Sequence, residues 1–130
     1  MILELLEMNP LSAEKVKTWF MRKMMDSMEE ENIPEEFKFH MIKEGISYEQ
    51  ISGVIENNPA ALFEFFDAND LIISVVYDRE HKVFRYRVDQ KDVVNQHEIE
   101  SNDFSTRKEA EAEAVSYSFK TLEAILCETK

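Results

Sequence analysis

Glu36, His40 and Glu44 recur every four residues, the spacing that gathers three potential metal ligands on one helix face. Structural and catalytic metal sites take three or four ligands, drawn mainly from Cys and His. One histidine between two glutamates falls short of that set, and the same spacing describes a solvated face with weak charge pairs. His81 and His97 fall in an expected turn and an expected edge strand, with no motif around them. Cys127 stands alone near the end of the chain, with no base indicated beside it to raise its thiolate fraction. Gly45 and Gly53 are the only glycines, too few for a loop that cradles phosphate. Carboxylates are so frequent that a pair of them says little about acid–base catalysis. The expectation is a protein without enzymatic activity, metal or cofactor.

The carboxylates are more informative as a surface. The chain of 130 residues carries 27 acids and 15 bases, a net charge of −12. Residues 1–70 hold 15 acids and 6 bases, so −9; residues 71–130 hold 12 and 9, so −3. Glu29, Glu30, Glu31, Glu35 and Glu36 cluster around one expected bend between helices, with Glu44, Glu49 and Glu56 nearby in sequence. Charge concentrated in this way is either a solvated connection or a docking surface for something basic. It disfavours nucleic acid and anionic membranes as direct partners, because phosphate recognition depends on Lys and Arg. A second set, Met21, Met24, Met25, Met28 and Met41, with Trp19 and Phe20 beside it, either fills space between helices or forms an adaptable contact surface. Met21 and Met25 are the candidates for such a contact.

The elements that must position these residues are legible from periodicity and punctuation. The first 70 residues read as four to five short helices. Residues 2–8 form one, stopped before Asn9-Pro10, and Ser12 is the expected N-cap of a longer helix running to about residue 31. Val16, Trp19, Phe20, Met24 and Met28 supply its apolar spacing. Pro34 opens a third helix that buries Phe37, Met41 and Ile42 and closes at Gly45. Ser47 and Gln50 form a capping box that opens a fourth helix through Ile51, Val54 and Ile55. Asn58-Pro59 opens a fifth through Leu62, Phe63, Phe65 and Phe66, and Asn69 ends it.

The pattern then changes to strands over 71–78, 83–89 and, at an edge, 93–99, with residues 79–82 as the hairpin connection. Phe84, Tyr86 and Val88 are expected to face inward. Thr106 and Glu109 cap a final helix whose buried stripe is Ala110, Ala114, Val115, Phe119, Leu122, Ile125 and Leu126. The fold class is α+β, a helical N-terminal half packed with a three-stranded antiparallel sheet and a C-terminal helix, in one domain. The lone cysteine, the lack of an N-terminal leader pattern and the lack of a long apolar run point to a cytoplasmic setting.

Two segments resemble known families. Gly45-Ile46-Ser47-Tyr48-Glu49-Gln50-Ile51-Ser52 followed by Asn58-Pro59-Ala60-Ala61-Leu62 resembles a helix-turn-helix, whose second helix enters the DNA major groove. Here that helix contains no Lys or Arg. Residues 71–126, three strands and then a helix opening with Phe104-Ser105-Thr106-Arg107-Lys108-Glu109-Ala110, resemble the end of a double-stranded-RNA-binding domain. In that family a basic cluster at the helix start straddles the groove phosphates; Arg107 and Lys108 match it, with Glu109, Glu111 and Glu113 following at once. The same opening is similar to helices that end small phage- and mobile-element-encoded proteins. This resemblance implies origin more than activity; an inhibitor of a host or defence nuclease would suit both it and the charge.

The leading expectation is an acidic protein-binding domain that imitates nucleic acid on a partner's basic surface. The alternatives are a self-associating adaptor, possible as a homodimer through the Met-rich helix, and an RNA binder of the double-stranded-RNA-binding kind.

Overall fold

Proline and hydroxyl side chains decide where the helices of this chain begin. The computed structural model describes residues 2–91 and 103–128, and of these every side chain except those of residues 38 and 41–44. The described chain is α+β and falls into two units, Met1–Asn58 and Pro59–Lys130.

The first unit holds α1 (Ile2–Met8), α2 (Pro10–Glu30), α3 (Glu35–Glu44) and α4 (Tyr48–Asn57). Asn9 both closes α1 and opens α2. Its side-chain amide donates to the Leu5 carbonyl at 2.8 Å, and its own carbonyl accepts from the Ala13 N–H at 2.9 Å. Pro10 fills the first helical position, where a missing N–H costs nothing. Ser12, the expected N-cap, therefore lies inside the helix and is fully buried. Ser47 and Gln50 form the expected reciprocal capping box of α4, with bonds of 2.9 and 3.2 Å. Gly45 follows α3 with φ of +72°, a conformation that favours glycine. Helices α1, α2 and α4 pack on one another around Leu6, Val16, Ile51 and Ile55, each worth about 1.5–3 kcal/mol of apolar burial. Val54 is on the exposed side of α4.

The second unit holds α5 (Ala60–Ala68), β1 (Leu71–Asp78), β2 (Val83–Gln90) and α6 (Arg107–Glu128). Helix α5, grouped by sequence with the helices before it, packs instead on β1 and α6. Phe66 explains this: it stacks edge-to-face with Phe65 at 5.2 Å and with Phe119 of α6 at 5.0 Å, and all three are fully buried. Strands β1 and β2 form an antiparallel hairpin in the register Leu71–Gln90 to Asp78–Val83. Tyr86 and Val88 are buried as expected, and Phe84 is half-buried. Ala110 and Ala114, both fully buried, present a small-residue stripe on α6, which packs on both strands. The Thr106 hydroxyl accepts from the Glu109 N–H at 3.1 Å, the expected cap; the Glu109 carboxylate accepts from the hydroxyls of Ser105 and Thr106. Ile125 and Leu126 are only half-buried.

Two strands, not three, are paired in the described sheet, and Phe104 adds a single bridge to Phe84. The expected strand over 93–99 lies outside the described residues. The unit boundary also changes how the charge is distributed. Residues 1–58 carry 12 acids and 6 bases, and residues 59–130 carry 15 and 9, so each unit holds −6. The sequence excess of residues 1–70 depends on Glu64, Asp67 and Asp70, which belong to the second unit.

Candidate functional site

The bend between α2 and α3 is built by main-chain bonds. Asn32 takes the left-handed conformation with φ of 55°. Its N–H donates to the Glu29 carbonyl at 3.3 Å, and the Ile33 N–H donates to the Met28 carbonyl at 3.0 Å. This pair of bonds is a Schellman ending with asparagine at the left-handed position. Pro34 follows, and its carbonyl accepts from the Phe37 N–H at 3.0 Å, starting α3. Sequence reasoning located the bend from Pro34 and missed the signal in Asn32.

Five of the candidate residues meet here. Glu29 and Glu30 lie in the last turn of α2, Glu31 is its C-cap, and Glu35 and Glu36 lie in the first turn of α3; all five are exposed. Among the described residues none of the five shares an ion pair or a side-chain hydrogen bond. Their helix positions differ in consequence. Glu35 and Glu36 sit where the helix dipole favours anions. Glu29, Glu30 and Glu31 sit at the negative end, where a cation is favoured, and the last turn of α2 contains no base. Each misplaced carboxylate costs about 0.3–1 kcal/mol of helix stability.

Helix α3 adds aromatic surface to this charge. Phe37, expected in the core, is 63 % exposed, and Phe39 is 67 % exposed. The two rings stand two residues apart, about 200° round the helix, so they lie on nearly opposite faces of α3. Among the described residues, α3 shows no helix packing of the kind that joins α1, α2 and α4. The bend thus presents five exposed carboxylates, and the helix that follows it exposes a phenyl ring on each of two faces.

The remaining candidates lie elsewhere. Glu49 and Glu56 are exposed on α4, two turns apart on the same face, and Glu56 has a bonded partner. The Glu44 side chain, like those of Met41 and Ile42, lies outside the described residues. Met28 is buried, while Met21, Met24 and Met25 are half-buried. Trp19 packs edge-to-face on Phe20 at 5.1 Å, and the Lys23 ammonium lies 5.2 Å from the Trp19 ring centre. Among the described residues no three His, Cys, Asp or Glu side chains are arranged to hold a metal ion.

A second polar cluster, not anticipated from sequence, closes the β-hairpin. One oxygen of Asp78 accepts from the N–H groups of Glu80 and His81 at 3.0 and 3.2 Å. The other meets His81 Nδ1 at 2.8 Å and the Arg85 guanidinium at 2.9 Å, and Arg85 Nε reaches Asp103 at 2.8 Å. The His81 side-chain hydrogen bond, followed by the His81 main-chain N–H, holds the Asp78 carboxyl below its ordinary value. Lys82, with φ of 55°, takes the place that Gly or Asn would fill in such a turn. The cluster fixes the hairpin end and ties it to Asp103.

The segments that resemble nucleic-acid binders are also placed. Helices α4 and α5, the pair resembling a helix-turn-helix, fall in different units, and α5 turns Leu62, Phe65 and Phe66 into the core of its own. The Arg107 guanidinium lies 5.7 Å from the Phe84 ring centre, and Lys108 is exposed. No helix among the described residues is long and apolar enough to cross a membrane. Comparison with protein-family models, with curated proteins and with solved structures returns no match to this chain.

Proposed function

We propose that this protein is a non-enzymatic, cytoplasmic binding domain whose α2–α3 bend docks on the basic, nucleic-acid-binding surface of another protein. One observation carries the reading: three exposed glutamates are kept at the helix end that disfavours them, with no compensating base among the described residues. A local rule broken without local compensation points to a role outside the fold. The carboxylates stand in for phosphates, and complementary charge speeds encounter and selects the partner. One exposed ring, that of Phe39, supplies the apolar contact that charge alone lacks. An inhibitor of a host or defence nuclease, of the kind carried by phage, fits this chemistry.

The test is capture of the partner from the native host, followed by a salt titration. The complex is expected to weaken at least tenfold between about 0.05 and 0.5 M salt, as screening shortens the reach of exposed charges. It is also expected to be competed by duplex nucleic acid and lost on combined Glu29→Lys, Glu30→Lys and Glu31→Lys substitution. A salt-insensitive complex, or one indifferent to that charge reversal, refutes the proposal. A second reading, self-association through the Met-rich helix, draws on the partial exposure of Met21, Met24 and Met25. It predicts a complex that holds or tightens with salt.

A further inference from the structure

The outer edge of β1 has a pairing pattern of its own. Phe84, opposite Tyr77, exchanges main-chain bonds of 2.7 and 2.9 Å with Phe104 on the far side of β2. Tyr77–Phe84 is therefore a non-hydrogen-bonded pair of the hairpin. By the alternation of an antiparallel ladder, so are Val75–Tyr86, Ile73–Val88 and Leu71–Gln90. The bond from the Lys91 N–H to the Asp70 carbonyl, at 3.0 Å, agrees with that phase. It follows that the N–H and C=O groups of Leu71, Ile73, Val75 and Tyr77 point away from β2. Among the described residues of the second unit, no strand receives them.

Edges of this kind are normally blunted by lysine, proline, a bulge or a cover. Strand β1 reads Leu-Ile-Ile-Ser-Val-Val-Tyr-Asp, with one charge, and that charge is tied to Arg85 and His81. On the sheet face away from Tyr86 and Val88, Ile72 is 38 % exposed and Val76 56 % exposed. They stand two residues either side of Ser74.

We propose that β1 pairs antiparallel with β1 of a second copy, across a twofold axis at Ser74. This register sets Ile73 against Val75 and Leu71 against Tyr77 as hydrogen-bonded pairs, using the main-chain groups that point outward. It also sets each exposed Ile72 against the exposed Val76 of the other copy, an apolar cross-strand pair made twice. A register shifted by one residue places inward side chains against outward ones. The repulsion between two copies is least at this edge. Two copies at −12 repel, and an edge whose one charge is already paired is a place where they can approach. The far edge of β2 already bonds Phe104, so pairing through β1 closes after two copies and does not propagate.

The test uses the whole chain in sedimentation velocity over a concentration series. Val76→Glu faces Arg85 within its own hairpin, and Ile72→Lys faces Asp89, so each variant is compatible with the monomer fold. Each alone is expected to weaken the dimer about tenfold, because two apolar cross-strand pairs become charge-against-apolar pairs. An equimolar mixture of the two variants is expected to regain mixed dimer, since the new carboxylate then meets the new ammonium. That recovery also shows that both variants fold. The wild-type dimer is expected to tighten with added salt. A wild-type chain monomeric at every concentration, a dimer indifferent to both substitutions, or a mixture that fails to recover each overturns the proposal.

Discussion

The α2–α3 bend and the β-hairpin belong to units of equal net charge, yet they use carboxylates in opposite ways. At the hairpin, Asp78 and Asp103 share Arg85, Asp89 meets Arg87 at 2.9 Å, and Asp67 meets Lys91 at 3.0 Å. Those acids fix a turn and tie the end of β2 to the end of α5. At the bend, five carboxylates face solvent, three of them against the helix dipole. Net charge is thus a poor guide to function, and local compensation is a better one. A paired acid belongs to the architecture. An acid held against its local interest is a candidate contact for the partner proposed above.

The comparison can be broken or sharpened by experiment. The largest effect is expected away from both regions: Phe66→Ala empties the centre of the Phe65–Phe66–Phe119 cluster and costs about 3–5 kcal/mol in denaturant unfolding. Its role is to show that the second unit is cooperative enough for smaller effects to be read there. Next, Glu29→Lys, Glu30→Lys and Glu31→Lys are each expected to stabilise the chain by about 0.3–1 kcal/mol in denaturant unfolding at low salt, by complementing the end of α2. They gain stability while losing the partner. A loss of stability on charge reversal would mean that these glutamates serve the fold, and the contrast with the hairpin would collapse.

Phe39→Ser, at an exposed position, is expected to change stability by less than about 0.5 kcal/mol and still to weaken capture of the partner. An equal loss in both measurements would place Phe39 in the packing of its own unit. The smallest effect is a slope. The carboxyl of Asp78 ionises more readily in the fold than in the unfolded chain, so its contribution is present above the unfolded value of about 3.9 and is lost as pH falls through the lower folded value. Asp78→Asn is expected to flatten the acid limb of thermal stability in that window. An unchanged acid limb would remove the hairpin cluster from the comparison.

What the sequence made legible follows the range of the forces involved. The Ser47–Gln50 box, the Thr106 cap, Gly45 and the inward Tyr86 and Val88 are set by neighbours three or fewer residues apart, and the structure has them as read; Phe84 is only half-buried. Two start signals competed near α2, and Pro10 prevailed over Ser12 because Asn9 already ended α1 at that point. The spacing of Phe37, Met41 and Ile42 predicts burial of Phe37, which is exposed: among the described residues no helix packs closely on α3 to cover it. The grouping of α5 with the sheet rests on Phe66 meeting Phe119, residues 53 positions apart, which no local pattern reports. Within the candidate site the acidic bend was readable in full, while the exposure of Phe39 and the Asp78 cluster required the fold.

Asn32 gives the bend one further property. Its left-handed turn, locked by the bonds from Asn32 to Glu29 and from Ile33 to Met28, fixes the backbone that bears Glu29, Glu30 and Glu31 before any partner arrives. A disordered acidic tail of the same composition would have to give up about 1–2 kcal/mol of backbone freedom per residue on docking. This bend has given it up on folding. Its carboxylates therefore come to a partner pre-organised, and their affinity per charge should exceed that of a flexible polyglutamate by that margin.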